Sequence, residues 1–344
     1  MRELADALLA WDTFAVASVV AVRGSAPREI GAAMAVGPGG QVVGSVSGGC
    51  VEGAVYELAL QVLATGQPVL ESFGYSDDDA FAVGLTCGGE LDVFVQRDTP
   101  EIRAALRAAR EGRPVSLRRV IEGPRAGLPP LAETERVFSE TWRPQPRLLV
   151  FGAIDYAGAV AEIGRFLGYQ VTVCDARPIF ATPQRFPAAH EVVVDWPHRY
   201  LASTCTDSRT AVCVLTHDPK FDVPVLVEAL RRPLAFVGAL GSRRTHAERL
   251  ERLREAGLAE HELARLRSPI GLDLGGRTPE ETAVSIAAEL VAVRHGGSGS
   301  PLSSVSSPIH KETHHGVDLP ERRRDEGRPA ALAAAGDPAG VCRP

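Results

Sequence analysis

The 344-residue chain contains no apolar run approaching the ~20 residues that a helix needs to cross a bilayer. Its N-terminus, MRELADALLAWDTF, lacks the basic start, apolar stretch and small-residue cleavage site of a signal peptide. That segment reads instead as an amphipathic helix, and a cytoplasmic protein is expected. The six cysteines, at 50, 87, 174, 205, 213 and 342, form no short-spaced disulfide or zinc pattern, so reduced thiols are expected. There is no excess of charge either. A formal net charge of -6 and a pI near 5.9 advertise neither a nucleic-acid nor a membrane surface. Lysine is nearly missing: all but two of the 37 basic residues are arginine, which reflects a GC-rich genome more readily than phosphate handling.

What is present is enough for a globular protein. A hydrophobic content of 45% can bury a sizeable core, and the length suits two domains and an extension. The expected fold is α/β: an N-terminal mixed α+β domain over residues 1–140, a Rossmann-like doubly wound parallel sheet over 147–295, and a disordered tail over 296–344. The first domain rests on glycine-broken β-rich runs, FAVASVVAVRG, AAMAVGPGGQVVGSVS, PVLESFGYS and ELDVFVQRD, with PGG at 38–40 as a hairpin turn. Helical spacing in VEGAVYELALQVLATG ends at Gly66, and EIRAALRAAREG gives a second helix before the strands PVSLRRVIEG and ERVFSETW. The two prolines of residues 141–146 mark a linker. Beyond Arg147, continuous apolar strands alternate with helices, the pattern of a parallel sheet covered on both faces. The Ser-, Gly- and Pro-rich tail is too poor in apolar residues to offset chain entropy, and Cys342 within it is incidental.

A dinucleotide turn needs G-x-G-x-x-G/A, because the second glycine lets the backbone approach the pyrophosphate. Here the turn reads Gly152-Ala-Ile-Asp-Tyr-Ala157, with Asp175 as the acid about twenty residues on. A branched side chain at 154 and a carboxylate at 155 oppose a pyrophosphate, so NAD in its usual pose is not expected. The turn GALGSRRT is the better phosphate candidate, with Ser242 as N-cap and Arg243 and Arg244 as cations. His217, at the end of another apolar strand, reads either as a ligand contact or as a hydrogen-bonded turn residue.

Cys50 follows Gly48 and Gly49 at a helix start, where the dipole favours a thiolate, and Glu52 lies two residues on. The arrangement returns reversed at Cys87-Gly88-Gly89-Glu90. Two cysteines beside paired glycines suggest one pocket, although each could equally be a small buried packer.

RGSAPREIGAAMAV, GSVSGGCVE, TCGGELDVFV, FGAIDYAG, VCDARP, LTHDPKFD, VGALGSRRT and SPIGLDLGGRTPEETAVSI occur in that order. Together they resemble the XdhC/CoxI family of xanthine dehydrogenase accessory proteins, from about residue 10 to 295. The resemblance implies a molybdenum-cofactor chaperone without turnover of its own. Such a protein binds the molybdopterin form of the cofactor while a cysteine desulfurase supplies its sulfido ligand. It then assists insertion into a molybdenum hydroxylase, either xanthine dehydrogenase or a carbon monoxide dehydrogenase-like enzyme. On that reading Cys50, the SGGCVE cysteine, meets molybdenum, carries a persulfide or lines the pocket, with Cys87 as the CGG cysteine. The amides of Gly48, Gly49, Gly88 and Gly89 suit phosphate or oxo groups, Glu52 suits pterin N–H groups, and Arg23, Ser25 and Arg28 are anion contacts. Ser242, Arg243 and Arg244 would take a nucleotide if the pterin carries one. A homodimer is the default assembly. The family's Gly-Ala-Gly-His turn is altered at Ile154 and Asp155, which puts a nucleotide role of the second domain in doubt. The second reading is an NAD-dependent oxidoreductase with Cys50 as nucleophile.

Overall fold

The computed structural model describes residues 4–24, 28–74 and 89–306. Its first half is built on a five-stranded antiparallel sheet, β1 (Ala15–Arg23), β2 (Ala33–Val36), β3 (Val42–Gly44), β4 (Val69–Phe73) and β5 (Glu90–Arg97), in the order β3-β2-β1-β5-β4. The Pro-Gly-Gly segment turns β2 into β3, as its composition predicts, with Gly37 N donating to Gln41 O at 2.9 Å.

Alternation along β1 sends its two faces into different cores. Ala15, Ala17 and Val19 pack under α2 (Glu52–Thr65), whose buried Val55, Ala59 and Val62 recur at helical spacing. Phe14 and Val16 face α1 (Ala5–Ala10) and α3 (Pro100–Arg110), and Val20 meets a hairpin formed by β6 (Val115–Val120) and β7 (Val137–Trp142). Burial on both sides explains why β1 reads as a continuous apolar run. β7 runs through Trp142, beyond the expected boundary at 140, because Thr141 and Trp142 complete the hairpin opposite Ser116 and Val115. Trp142 is buried in the core with α1 and α3, which leaves residues 143–146 as the connection.

The second half is a six-stranded parallel sheet of β8 (Arg147–Phe151), β9 (Gln170–Asp175), β10 (Glu191–Val194), β11 (Ala211–Val214), β12 (Phe236–Ala239) and β13 (Leu266–Arg267). The order β10-β9-β8-β11-β12-β13 is the Rossmann order, with its switch point between β8 and β11. α4 (Asp155–Phe166) and α9 (Pro279–His295) cover one face. α5 (Pro197–Ser203), α6 (Pro219–Leu230) and α7 (Arg243–Glu255) cover the other, followed by the single turn α8 (Glu260–Leu263). Gly164 lets α4 close onto the sheet, since a Cβ there would stand 2.5 Å from Leu148 Cδ2. No described helix is long and apolar enough to cross a membrane. Of the expected tail, residues 296–306 close α9 with Gly296 in the left-handed conformation and form a 3-10 turn at Leu302–Ser304. Residues 307–344, with Cys342, lie outside the described residues.

One buried ion pair joins the hairpin to the sheet. Arg119 of β6 donates to Glu140 of β7 at 2.7 Å, to Ser18 Oγ at 3.3 Å and to Gln96 Oε1 at 3.4 Å, and all four residues are buried. Truncating Glu140 to Ala strands the guanidinium in the core and is expected to cost about 3–5 kcal/mol, whereas replacing both partners by apolar residues restores most of it. Urea unfolding of Glu140→Ala and of Arg119→Met/Glu140→Leu checks this, and a loss below about 1 kcal/mol in the single variant would contradict it.

Candidate functional site

β3 ends at Gly44, whose φ of 81° is obligatory because a Cβ would lie 2.2 Å from Ala33 O. From there residues 45–49 wrap around the carboxylate of Glu52, the first residue of α2. Oε1 accepts from Ser45 Oγ at 2.6 Å and from the amides of Ser47 and Gly48, both at 2.9 Å. Oε2 accepts from Ser47 Oγ and from Gly49 N at 2.8 Å. Gly48 and Gly49, at φ 76° and 124°, turn successive amides toward this one carboxylate, and no atom crowds either Cα. Burial alone would raise the Glu52 pKa, but the Ser45 and Ser47 hydroxyls and the Ser47 amide outweigh it and hold the carboxyl at about 2. In this structure the amides of Gly48 and Gly49, expected to meet a ligand anion, donate to the chain's own Glu52, and the Glu52 oxygens, expected to meet pterin N–H groups, accept from the same loop.

Cys50 sits between this clamp and α2, half-buried against the core beneath the helix. An open cleft of about 620 Å³ runs between α2 and β4. Ala54, Glu57, Leu58 and Gln61 form one wall, with Glu71 and Phe73 opposite.

Arg23, expected as an anion contact, is engaged within the chain. It holds Asp92 at 2.8 Å and Glu90 at 3.1 Å, and the nearly fully buried Asp92 also accepts from Ser72 Oγ and faces Arg136. Burial favours the protonated form of Asp92, and the Ser72 and Arg23 bonds override it, lowering its pKa. Arg28 is exposed and makes no side-chain hydrogen bond or ion pair with the described residues, so it stays available. Gly89 is buried just ahead of β5. Ser25, Cys87 and Gly88 lie outside the described residues, as does any pairing of the two glycine-flanked cysteines. No three His, Cys, Asp or Glu side chains gather as a metal site among the described residues.

In the Rossmann half, the φ of 114° at Gly152 and its close approach to Thr216, 2.7 Å from a built Cβ, make the turn glycine-dependent. Asp175, where a dinucleotide's ribose would bind, is 2% exposed and already engaged. It accepts from Ala153 N at 2.8 Å, from Arg177 N at 2.9 Å and from the Arg177 guanidinium. Asp155 projects from the start of α4 with Arg185 3.4 Å away. Neither arginine was singled out from the sequence, although Arg177 lies within the VCDARP motif, and both stack on Phe180. A second unanticipated group is buried Arg249 of α7. It donates to Asp222 at 3.0 Å, to Leu240 O at 2.8 Å and to Ser268 Oγ at 2.9 Å, tying the start of α6 to the loops after β12 and β13. Its spacing of four from buried Leu253 was the available signal. Ser242 caps α7 as expected, accepting from Thr245 N at 3.1 Å. Arg244 pairs with Glu248, while Arg243 is exposed and makes no such pair with the described residues.

Two family models match, one for the XdhC and CoxI family over residues 8–74 and one for the XdhC Rossmann domain over residues 148–290. The molybdenum cofactor insertion chaperone PaoD of Escherichia coli (strain K12) is 31% identical over 303 residues, spanning 86% of this chain and 87% of its own length. The chain belongs to the XdhC and CoxI family. A probable xanthine dehydrogenase subunit from Bacillus subtilis (strain 168) is 30% identical over 323 residues, covering 84% of this chain and 96% of that protein. A crystal structure of a xanthine dehydrogenase from Bacillus halodurans has a similar fold, with a TM-score of 0.73 at 26% identity over 89% of this chain and 98% of that one. The Cys50 loop falls in the XdhC and CoxI segment, and the turn at Gly152 falls in the XdhC Rossmann segment.

The thiols differ sharply in environment. Burial pushes Cys174 up to about 12 and raises Cys213 as well, whereas Cys205 is exposed and Cys50 half-buried. Iodoacetamide at pH 8 is therefore expected to alkylate Cys50 and Cys205 in the native protein and to spare Cys174 and Cys213. Peptide mass mapping reads the outcome.

Glu52 also sets a pH dependence. Its folded pKa is depressed, so its contribution to stability is complete above about 4.5 and is lost as pH falls toward about 2. The stability gap between wild type and Glu52→Gln should be constant near neutrality and close across that acid window. Urea midpoints at a series of pH values measure it.

Proposed function

We propose that this chain is a molybdenum-cofactor chaperone, which holds molybdopterin cofactor as cargo and passes it to a molybdenum hydroxylase of the xanthine dehydrogenase kind. The observation that carries the reading is a half-buried cysteine presented by a clamped loop at the start of α2, within the segment that matches the XdhC and CoxI family. The naming of PaoD as a molybdenum cofactor insertion chaperone supports it.

The residues suit such a cargo. The Cys50 sulfur is a soft donor for molybdenum or for sulfur. The cleft between α2 and β4 has apolar surface from Leu58 and Phe73 for a flat bicyclic ring, and the Glu57 and Glu71 carboxylates can accept ring N–H groups. Arg28, exposed and unpaired among the described residues, is a cation for a phosphate in the first half. In the second half, Arg243 at the start of α7 serves a dinucleotide form of the cargo. The bound cargo supplies the molybdenum chemistry that its client uses; the chain binds, shields and orients. A cysteine desulfurase as sulfur source, a homodimeric assembly, a cytoplasmic location and the absence of turnover belong to the same proposal.

The test is the molybdenum and pterin content of protein purified anaerobically from a host that accumulates free cofactor. Near-stoichiometric pterin is expected in the wild type, with loss in Cys50→Ala and retention in Cys205→Ala. An empty wild type under those conditions overturns the reading.

A further inference from the structure

We infer that Glu52 is the positioning residue for Cys50: its carboxylate is the resident anion of the loop at residues 45–49, and by clamping that loop it fixes where the thiol is presented. The inference rests on the proposed role of Cys50 as the contact to the cargo.

Counting acceptors makes the case. An ionised carboxylate offers about four lone-pair sites. Glu52 receives five hydrogen bonds, two from serine hydroxyls and three from backbone amides, so it is saturated. The serines close the circuit. Ser45 Oγ accepts from Gly48 N at 2.9 Å while donating to Glu52, and Ser47 Oγ accepts from Val51 N at 3.0 Å while doing the same. Cys50 therefore lies between two pinned amides, Gly49 N on Glu52 and Val51 N on Ser47. Two glycines at positive φ would otherwise be the loosest backbone in this half, and they lead directly into the cysteine.

The chemistry of the clamp is specific to a carboxylate. Oε1 faces the amides of Ser47 and Gly48, and Oε2 faces the amide of Gly49. A glutamine at 52 must turn its NH2 toward one side or the other, and on either side it meets a backbone N–H that can only donate. Aspartate shortens the reach by roughly one C–C bond, ~1.5 Å, and cannot span both ends of the loop. The groups facing this carboxylate are hydroxyls and amides, with no cation among its bonded partners, so the loop is held by hydrogen bonding rather than by an ion pair.

The experiment compares wild type, Glu52→Gln and the milder Ser45→Ala, all as full-length chains. It measures the alkylation rate of Cys50 as a function of pH, relative to that of exposed Cys205 in the same molecule, together with pterin content after anaerobic purification. Loss of charge-assisted bonds at the clamp should release Cys50 and raise its relative rate about tenfold in Glu52→Gln, with a smaller rise in Ser45→Ala. The Cys205 rate should be unchanged and pterin retention should fall in parallel. An unchanged Cys50 rate in both variants overturns the inference. So does loss of pterin without a change in that rate, because Glu52 would then touch the cargo itself. A wild type that carries no pterin removes the proposed function instead, and the thiol rates still decide the clamp.

Discussion

The carboxylate of Glu52 organises the first half of this protein. A helix begins with amides that have no partner within it, and an acidic side chain in its first turn is the ordinary answer. Here the acid turns backwards and gathers the amides of the preceding loop as well, so that one side chain ties the end of β3 to the start of α2. The two glycines are necessary because only their conformation directs consecutive N–H groups inward, and the serines are necessary because their hydroxyls both donate and accept. A loop that looks from its composition like an open anion nest is thus a closed one.

The same arrangement recurs at the Rossmann turn. Asp175 takes the Ala153 amide and the Arg177 guanidinium, and Asp155 stands at the head of α4 beside Arg185. The chain's own charges thus occupy positions that a dinucleotide would use. α7 differs in having a neutral Ser242 cap, no acid in its first turn and an Arg243 that forms no ion pair with the described residues. The buried Arg249 reaches Asp222, Leu240 and Ser268 together and so ties that edge of the sheet by hydrogen bonds. Burial raises the Asp222 carboxyl against the pull of Arg249, which marks how deeply the group is placed.

Both halves share a construction principle, a sheet covered on both faces. In the Rossmann half this follows from parallel strands and crossover helices. In the first half it follows from β1, whose alternate residues enter two cores, and from the β6–β7 hairpin that closes the second of them. The hairpin brings a buried arginine and glutamate against Ser18 and Gln96. Such a pair adds little net stability, since desolvation offsets most of its attraction, but it makes a shifted hairpin register costly.

Much was determined by the sequence alone. Periodicity, glycine stops and continuous apolar strands placed most of the elements, the two-part order and the Rossmann half, because these depend on local geometry and on which face must be buried. The ordered run of motifs carried the family, and the altered residues at 154 and 155 were legible as a damaged dinucleotide turn. What only the tertiary structure decided is which polar groups are already spent. Arg23 finds Asp92 and Glu90 across 69 and 67 residues of chain, Arg119 finds Ser18 across 101, and the Gly48 and Gly49 amides find Glu52 only because the loop folds back on its helix. A residue type announces what it can bond. Whether that capacity is free for a ligand depends on donors and acceptors brought within about 3 Å, a distance that no sequence spacing specifies.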